Sequence, residues 1–183
     1  MYPIHRQLPF LLLLAICLLP ASAGAGGVYQ EPEAFIAQVF NQQPPKAKVL
    51  WLDKALKQQM ADILGHPYRG MRVRYWKKDE RSAWILDEVG KEKPITTGIV
   101  IDRGKIEQVK VLVFRESRGW EVRHDFFTDQ FKQAELEENL RLSNHIDNIS
   151  GATLSVRALR KLATIALLLD SRVRQKNAVK KQE

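Results

Sequence analysis

Residues 147–155 read Asp147-Asn148-Ile149-Ser150-Gly151-Ala152-Thr153-Leu154-Ser155. The longest helical pattern in the chain begins where they end. Val156, Leu159, Leu162, Ala163, Ala166, Leu169 and Val173 recur at three- and four-residue steps and form one apolar stripe. Thr153 and Ser155 are residue types that cap a helix N-terminus. Gly151 permits a tight turn. Hydroxyls, a small residue and free amides thus meet where unpaired N–H groups and the helix dipole attract an anion. Taken alone, the same stretch also reads as a capped helix after a polar turn.

Upstream, the period changes. Met71, Val73 and Tyr75 alternate with Arg72, Arg74 and Trp76, and after a charged turn at Lys77–Arg81 the alternation resumes through Ala83, Trp84, Ile85 and Leu86. That predicts one hairpin. Ile95–Ile101 and Lys105–Phe114 predict a second. Asp102-Arg103-Gly104 would join them as a three-residue turn, with Gly104 in the left-handed position. Val109, Val111 and Val113 should share one face, with Ile106, Leu112 and Phe114 on the other. Earlier still, Glu31–Phe40 and Leu52–Leu64 carry helical spacing, with Asp53 in the first turn of the second helix and Gly65 at its end. The expected fold is α+β: a mainly antiparallel sheet of two hairpins, helices on one face, and a long C-terminal helix starting at Thr153.

The chain has 183 residues, 45% of them hydrophobic, and a formal net charge of +8. One globular domain with a real core fits that length. Met1–Ala23 read as a secretory signal. Arg6 lies in a basic start, Leu8–Leu19 are apolar, and Ala21-Ser22-Ala23 is a small-x-small site. The apolar run is short of the ~20 residues of a spanning helix. Cys17, the one cysteine, falls inside it, so the mature chain would have no disulfide and no cysteine-held metal or cluster. The expected organisation is signal 1–23, N-terminal helical segment 24–69, sheet-and-helix domain 70–175 and basic tail 176–183. An exported, periplasmic protein does not meet nucleic acid. Its basic charge, and the tail, in which no acid intervenes between Arg172, Arg174, Lys176, Lys180 and Lys181, would instead face an acidic partner or an anionic membrane surface.

Asp-x-x-Ser-Gly-Ala-Thr-x-Ser resembles the flavin attachment motif of the FMN-binding domain family. That family includes flavin-carrying components of the sodium-translocating NADH:quinone reductase and of the Rnf complex. Thr97–Leu112, the turn Arg115-Glu116-Ser117-Arg118-Gly119 and the segment Phe126-Phe127-x-x-Gln130-Phe131 resemble further parts of the family pattern. The resemblance implies FMN esterified through its phosphate to Thr153 by a separate flavin transferase, which uses FAD and magnesium and releases AMP. It implies recognition by that enzyme through Asp147, beside Asn148 where relatives often have a smaller residue. The amides from Ser150, Gly151 and Ala152 to Ser155 would hold the phosphate. Glu116, Ser117 and Gly119 would meet the polar edge of the flavin ring, with Trp120 or Phe127 as a wall.

His124, Asp125 and Asp129 do not have the spacing of a histidine-rich metal site. Ser143 and Ser150 lack the strand–turn–helix elbow of a hydrolase nucleophile. The resemblance makes an exported electron carrier the leading expectation; it need not turn over a substrate of its own, and it would pass electrons to a membrane or periplasmic redox partner. A non-redox periplasmic binding or interaction domain on the same fold is the alternative. A flavin-dependent reductase of a small substrate ranks third, because no substrate-binding domain is visible.

Overall fold

The computed structural model describes residues 27–180. The signal-like segment with Cys17 and the last three residues lie outside the described part. Six strands form one antiparallel sheet in the order β1-β6-β5-β4-β3-β2. They are β1 (Gly27–Val28), β2 (Lys48–Trp51), β3 (Arg72–Lys78), β4 (Arg81–Val89), β5 (Pro94–Asp102) and β6 (Lys105–Phe114). The helices are α1 (Pro32–Val39), α2 (Lys54–Leu64), the short α3 (Asp125–Thr128) and α4 (Thr153–Lys180). The fold is α+β, with the long C-terminal helix starting at Thr153 as the periodicity predicts.

The two hairpins form where alternation places them, and their neighbours differ from expectation. Lys48–Trp51 pairs with Arg72–Tyr75, and Gly27–Val28 pairs with Val113–Phe114. The N-terminal stretch read as leader and helices therefore also adds two edge strands. The β5–β6 connection is a two-residue turn, not three: Arg103 and Gly104 both take left-handed φ, +51° and +84°, the conformation that follows strand twist in a tight hairpin. Shifts in register between Thr96 and Thr97 and between Val100 and Ile101 mark bulges in the β5–β6 pair. An extra residue flips all later side chains. Hence Ile106, Val109, Val111 and Phe114 share one core, while Leu112 and Val113 point into another. The predicted grouping of Val113 with Val109 fails for that reason.

Helices cover both faces, not one. The larger core lies between the sheet and helices α2 and α4, with Trp84, Ile95, Ile99, Ile101 and Ile106 against Leu56, Met60, Leu159, Leu162 and Ala166. On the other face, Phe35, Ile36, Val39 and Phe40 of α1 and its end pack on Ala83, Val100, Leu112 and Val113. Gly98 makes that second layer close: a Cβ there would lie 2.5 Å from the Phe35 ring. Helix α2 starts on Asp53, whose carboxylate accepts the Leu56 N–H at 2.8 Å, and ends on Gly65 at φ +74°. Asp53 is thus the cap itself, one position ahead of the first turn.

Every residue of the predicted apolar stripe of α4 is buried. The burial is continuous from Leu162 to Asp170, so the middle of the helix is enclosed and its N-terminal turn is left open. The helix continues to Lys180, into the stretch expected to be a separate basic tail, with Gln175–Val179 exposed. Among the described residues no helix is long and apolar enough to cross a membrane.

Candidate functional site at the start of the long helix

Thr153 is the first residue of α4, not its cap. The Ala152 carbonyl accepts the first intrahelical bond, from the Val156 N–H at 2.9 Å, which makes Ala152 the N-cap. Alanine has no side-chain acceptor and is a poor residue there. Ser155 is at the third helical position and is buried. The N–H groups of Thr153, Leu154 and Ser155 have no acceptor among the described residues. Ser150, Gly151, Thr153 and Leu154 are exposed, and Ala152 is buried. The result is an open helix end with an exposed hydroxyl and unpaired donors.

The approach to this end is fixed by side chains. Asn144 Nδ2 donates to the carbonyls of Gln130 and Lys132, at 2.9 and 3.1 Å. Gln130 Oε1 accepts the Asp147 N–H at 2.7 Å. The aromatic-rich segment thus holds the loop before α4, with Phe127 and Phe131 fully buried and edge-on to each other at 5.5 Å. The Asp147 carboxylate is exposed, 3.4 Å from His145 Nε2. Asn148 Nδ2 donates to Thr153 Oγ1 at 3.0 Å, an orientation of the hydroxyl that sequence alone does not give.

The turn Glu116–Gly119 packs directly on the helix start. Gly119 has φ +83°, and a Cβ on it would lie 2.5 Å from Ser155 Oγ and 3.4 Å from Ala152 Cα. Ser117 and Arg118 are exposed beside it. Glu116 is buried, and its Oε1 accepts the backbone N–H groups of Lys91, Glu92 and Lys93 at 2.5, 2.7 and 2.9 Å. Burial raises the pKa of this carboxyl. The three N–H donors and the nearby Lys91 charge outweigh that and leave it below the usual value. The Gly/Pro-bounded charged run Gly90-Lys91-Glu92-Lys93-Pro94 is the turn that Glu116 ties down. Its composition marks a turn, but its three convergent amides are visible only in the structure.

The two proposed walls differ. Phe127 is enclosed in the core and presents no face to a ligand. Trp120 is partly exposed, and the Arg123 guanidinium lies between its ring and that of Tyr29, 4.8 and 4.5 Å from their centroids. Two turns along α4, Lys161 Nζ is 3.4 Å from the buried carboxylate of Glu88, which His66 Nε2 approaches at 3.1 Å.

A flavin phosphate placed at this open helix N-terminus, backed by the Gly119 turn, would meet unpaired backbone donors and the favourable end of the helix dipole. The residues present suit that group: the N–H groups of Thr153, Leu154 and Ser155, which have no acceptor among the described residues, would face it, and the exposed Thr153 hydroxyl would adjoin it. Residues 90–168 match the family model described as the FMN-binding domain. The chain therefore carries an FMN-binding domain, with FMN as its cofactor, over a stretch that spans less than half of its 183 residues and contains both the Glu116–Gly119 turn and the Thr153 helix start. No curated protein and no solved structure matches the chain.

Proposed function

We propose that this flavoprotein is an exported electron carrier with FMN esterified to Thr153. The observation that supports it most is the Thr153 hydroxyl itself: exposed, at the first position of an acceptor-free helix start, and oriented by Asn148. Attachment exchanges a pyrophosphate P–O bond of FAD for a Thr153 Oγ–P bond, with AMP and the hydroxyl proton leaving. Among the described residues Thr153 has no activating base in hydrogen-bond contact, so attachment calls for a separate transferase with magnesium. Asp147, exposed before the motif, is the residue for that enzyme to recognise.

When bound, the flavin supplies one- and two-electron redox chemistry. The chain's residues do the rest. The amides of Thr153, Leu154 and Ser155 would hold the phosphate, where the helix dipole also favours negative charge. Glu116 holds the 90–93 turn in place, and Gly119 keeps the 116–119 turn against the helix. Ser117, exposed, and Trp120, partly exposed, would border the ring. The signal-like Met1–Ala23 supports export to the periplasm, and the basic composition supports an acidic redox partner or weak contact with anionic lipid through the tail.

Intact mass tests the reading. Co-expression with an exported flavin transferase should add one FMN less one water, and the label should survive denaturation. A wild-type chain that takes up no flavin beside an active transferase overturns the carrier reading and leaves a non-redox binding domain.

A further inference from the structure

Helix α4 carries a second feature on the face that begins with Thr153. Arg157, Arg160, Lys161 and Thr164 follow at steps of four, seven, eight and eleven residues, so they continue one stripe. This stripe forms a wall of a cleft of about 730 Å³, whose opposite wall is the loop of residues 139–145. The loop is held in shape: Leu136 bridges Leu142, the Arg141 N–H donates to Asn139 Oδ1 at 3.0 Å, and Asn144 is tied to two carbonyls.

Charge in the cleft is predominantly positive. Arg141 comes from the loop wall, and Arg157 and Arg160 from the helix. None of these three side chains has an ion pair or hydrogen bond among the described residues. Lys161 is offset by Glu88. The lining acid, Asp62, accepts from the neutral Gln58 amide at 2.9 Å and keeps its charge, which can offset only one of the three arginines; His145 is engaged with Asp147 outside. Three guanidiniums without an ion-pair partner among the described residues thus line a concave surface with a net positive charge, and guanidinium recognises carboxylate in a bidentate fork.

We propose that this cleft receives an acidic segment of the protein that exchanges electrons with the flavin, a proposal that rests on the carrier reading above. The cleft is long and open along the helix, and its cations are spread over more than one turn from two walls. A chain of carboxylates spans that spread; a single small anion does not. At about 1.5 Å of rise per residue, Arg157 is roughly 6 Å and Lys161 roughly 12 Å along the axis from Thr153. A partner seated in the cleft is therefore brought alongside the flavin attachment point, and its charge steers the encounter.

The test uses a fluorescently labelled octaglutamate peptide and the full chain, followed by anisotropy at low ionic strength. Wild type should bind saturably, and added salt should weaken binding. Arg157→Glu with Arg160→Glu should weaken it by about tenfold or more, the size expected when an interfacial charge pair is reversed. Arg157→Gln with Arg160→Gln should weaken it less, and guards against a folding defect from reversed charge. Arg72→Glu with Arg74→Glu makes the same charge change on the exposed face of β3, outside the cleft lining, and should leave binding within about twofold of wild type. Equal losses in the cleft and β3 variants would show diffuse attraction and overturn the proposal, as would cleft variants that bind like wild type. Flavin per chain, measured on the same proteins after co-expression with the transferase, should not change in the cleft variants. Absence of flavin from wild type sinks the carrier reading, whereas the peptide result reports on the cleft alone.

Discussion

Gly119 leaves room for a hydroxyl: a Cβ at this position would stand 2.5 Å from Ser155 Oγ. The glycine also sits at φ +83°, so any other residue adds backbone strain to the collision. Gly119→Ala should cost about 2–4 kcal/mol, combining left-handed strain with overpacking. Ser155→Ala should restore part of that loss in the double variant, because Oγ is the nearest atom and Ser155 Cβ is farther, at 3.3 Å. Denaturant unfolding of the four proteins forms a double-mutant cycle. Strictly additive losses would mean that the turn and the helix start do not touch as described.

Thr153 can be changed with little effect on folding. It is exposed and is not the cap, so Thr153→Val should alter stability by no more than ~0.5 kcal/mol. The same variant should carry no flavin that resists denaturation. Asn148→Ala keeps the hydroxyl and removes the bond that orients it. Labelling should then slow without losing its final extent, in a time course followed by intact mass. An Asn148→Ala chain labelled at the wild-type rate would show that the orientation has no part in transfer. Denaturation-resistant flavin on Thr153→Val would put the anchor elsewhere.

Glu116 predicts a dependence on pH. Its folded pKa is lowered from the ordinary 4.5, because three backbone donors outweigh the effect of burial. A carboxyl with a depressed folded pKa contributes stability above its unfolded value, and that contribution disappears as pH falls through the folded value. Glu116→Gln should therefore lose about 1–3 kcal/mol near neutral pH, the range for leaving buried groups poorly matched. The gap from wild type should close below the unfolded pKa of the carboxyl. Chemical denaturation across the acid range checks it, and a gap that is constant with pH would remove the ionised carboxylate from the account.

What the sequence made legible follows from pattern strength. The α4 stripe is seven apolar residues long, and all of them are buried. The Ser-Gly-Ala-Thr run fixes where that helix begins. Strand β2 escaped because only Leu50 of its four residues is buried, so it has no alternation to read. Strand β1 is two residues held by pairing with β6. The bulges in β5–β6 leave no local mark: Val111, Leu112 and Val113 are all apolar, and only the partner strand decides which way each points. The role of Ala152 as cap was hidden behind two better capping residues. Asn148 and the Lys91–Lys93 amides act through contacts that arise only once loops distant in sequence have come together.

Asp170 is the one charge buried in the middle of α4, directly after Leu167-Leu168-Leu169. It is fully enclosed. Its Oδ1 accepts from Ser82 Oγ at 2.7 Å and its Oδ2 from Arg174 Nε at 2.8 Å, while Ser82 Oγ accepts from Trp84 Nε1 at 2.9 Å. The chain of bonds pins the helix to β4 at a fixed height, which sets where Thr153 emerges at the other end. The partners are unequal. Ser82 and Trp84 are buried, so without Asp170 the Ser82 hydroxyl loses its acceptor inside the core. Arg174 is 39% exposed and can turn to water. Asp170→Ala should therefore cost about 3–5 kcal/mol, the scale for breaking a buried charged network. Arg174→Ala leaves Asp170 with its Ser82 donor and should cost less, roughly 1–2 kcal/mol, the net worth of one partly exposed charged hydrogen bond. Thermal and denaturant unfolding of the two variants should preserve that order. Equal costs would mean that the ion pair, and not the buried Ser82–Asp170 bond, fastens the helix to the sheet.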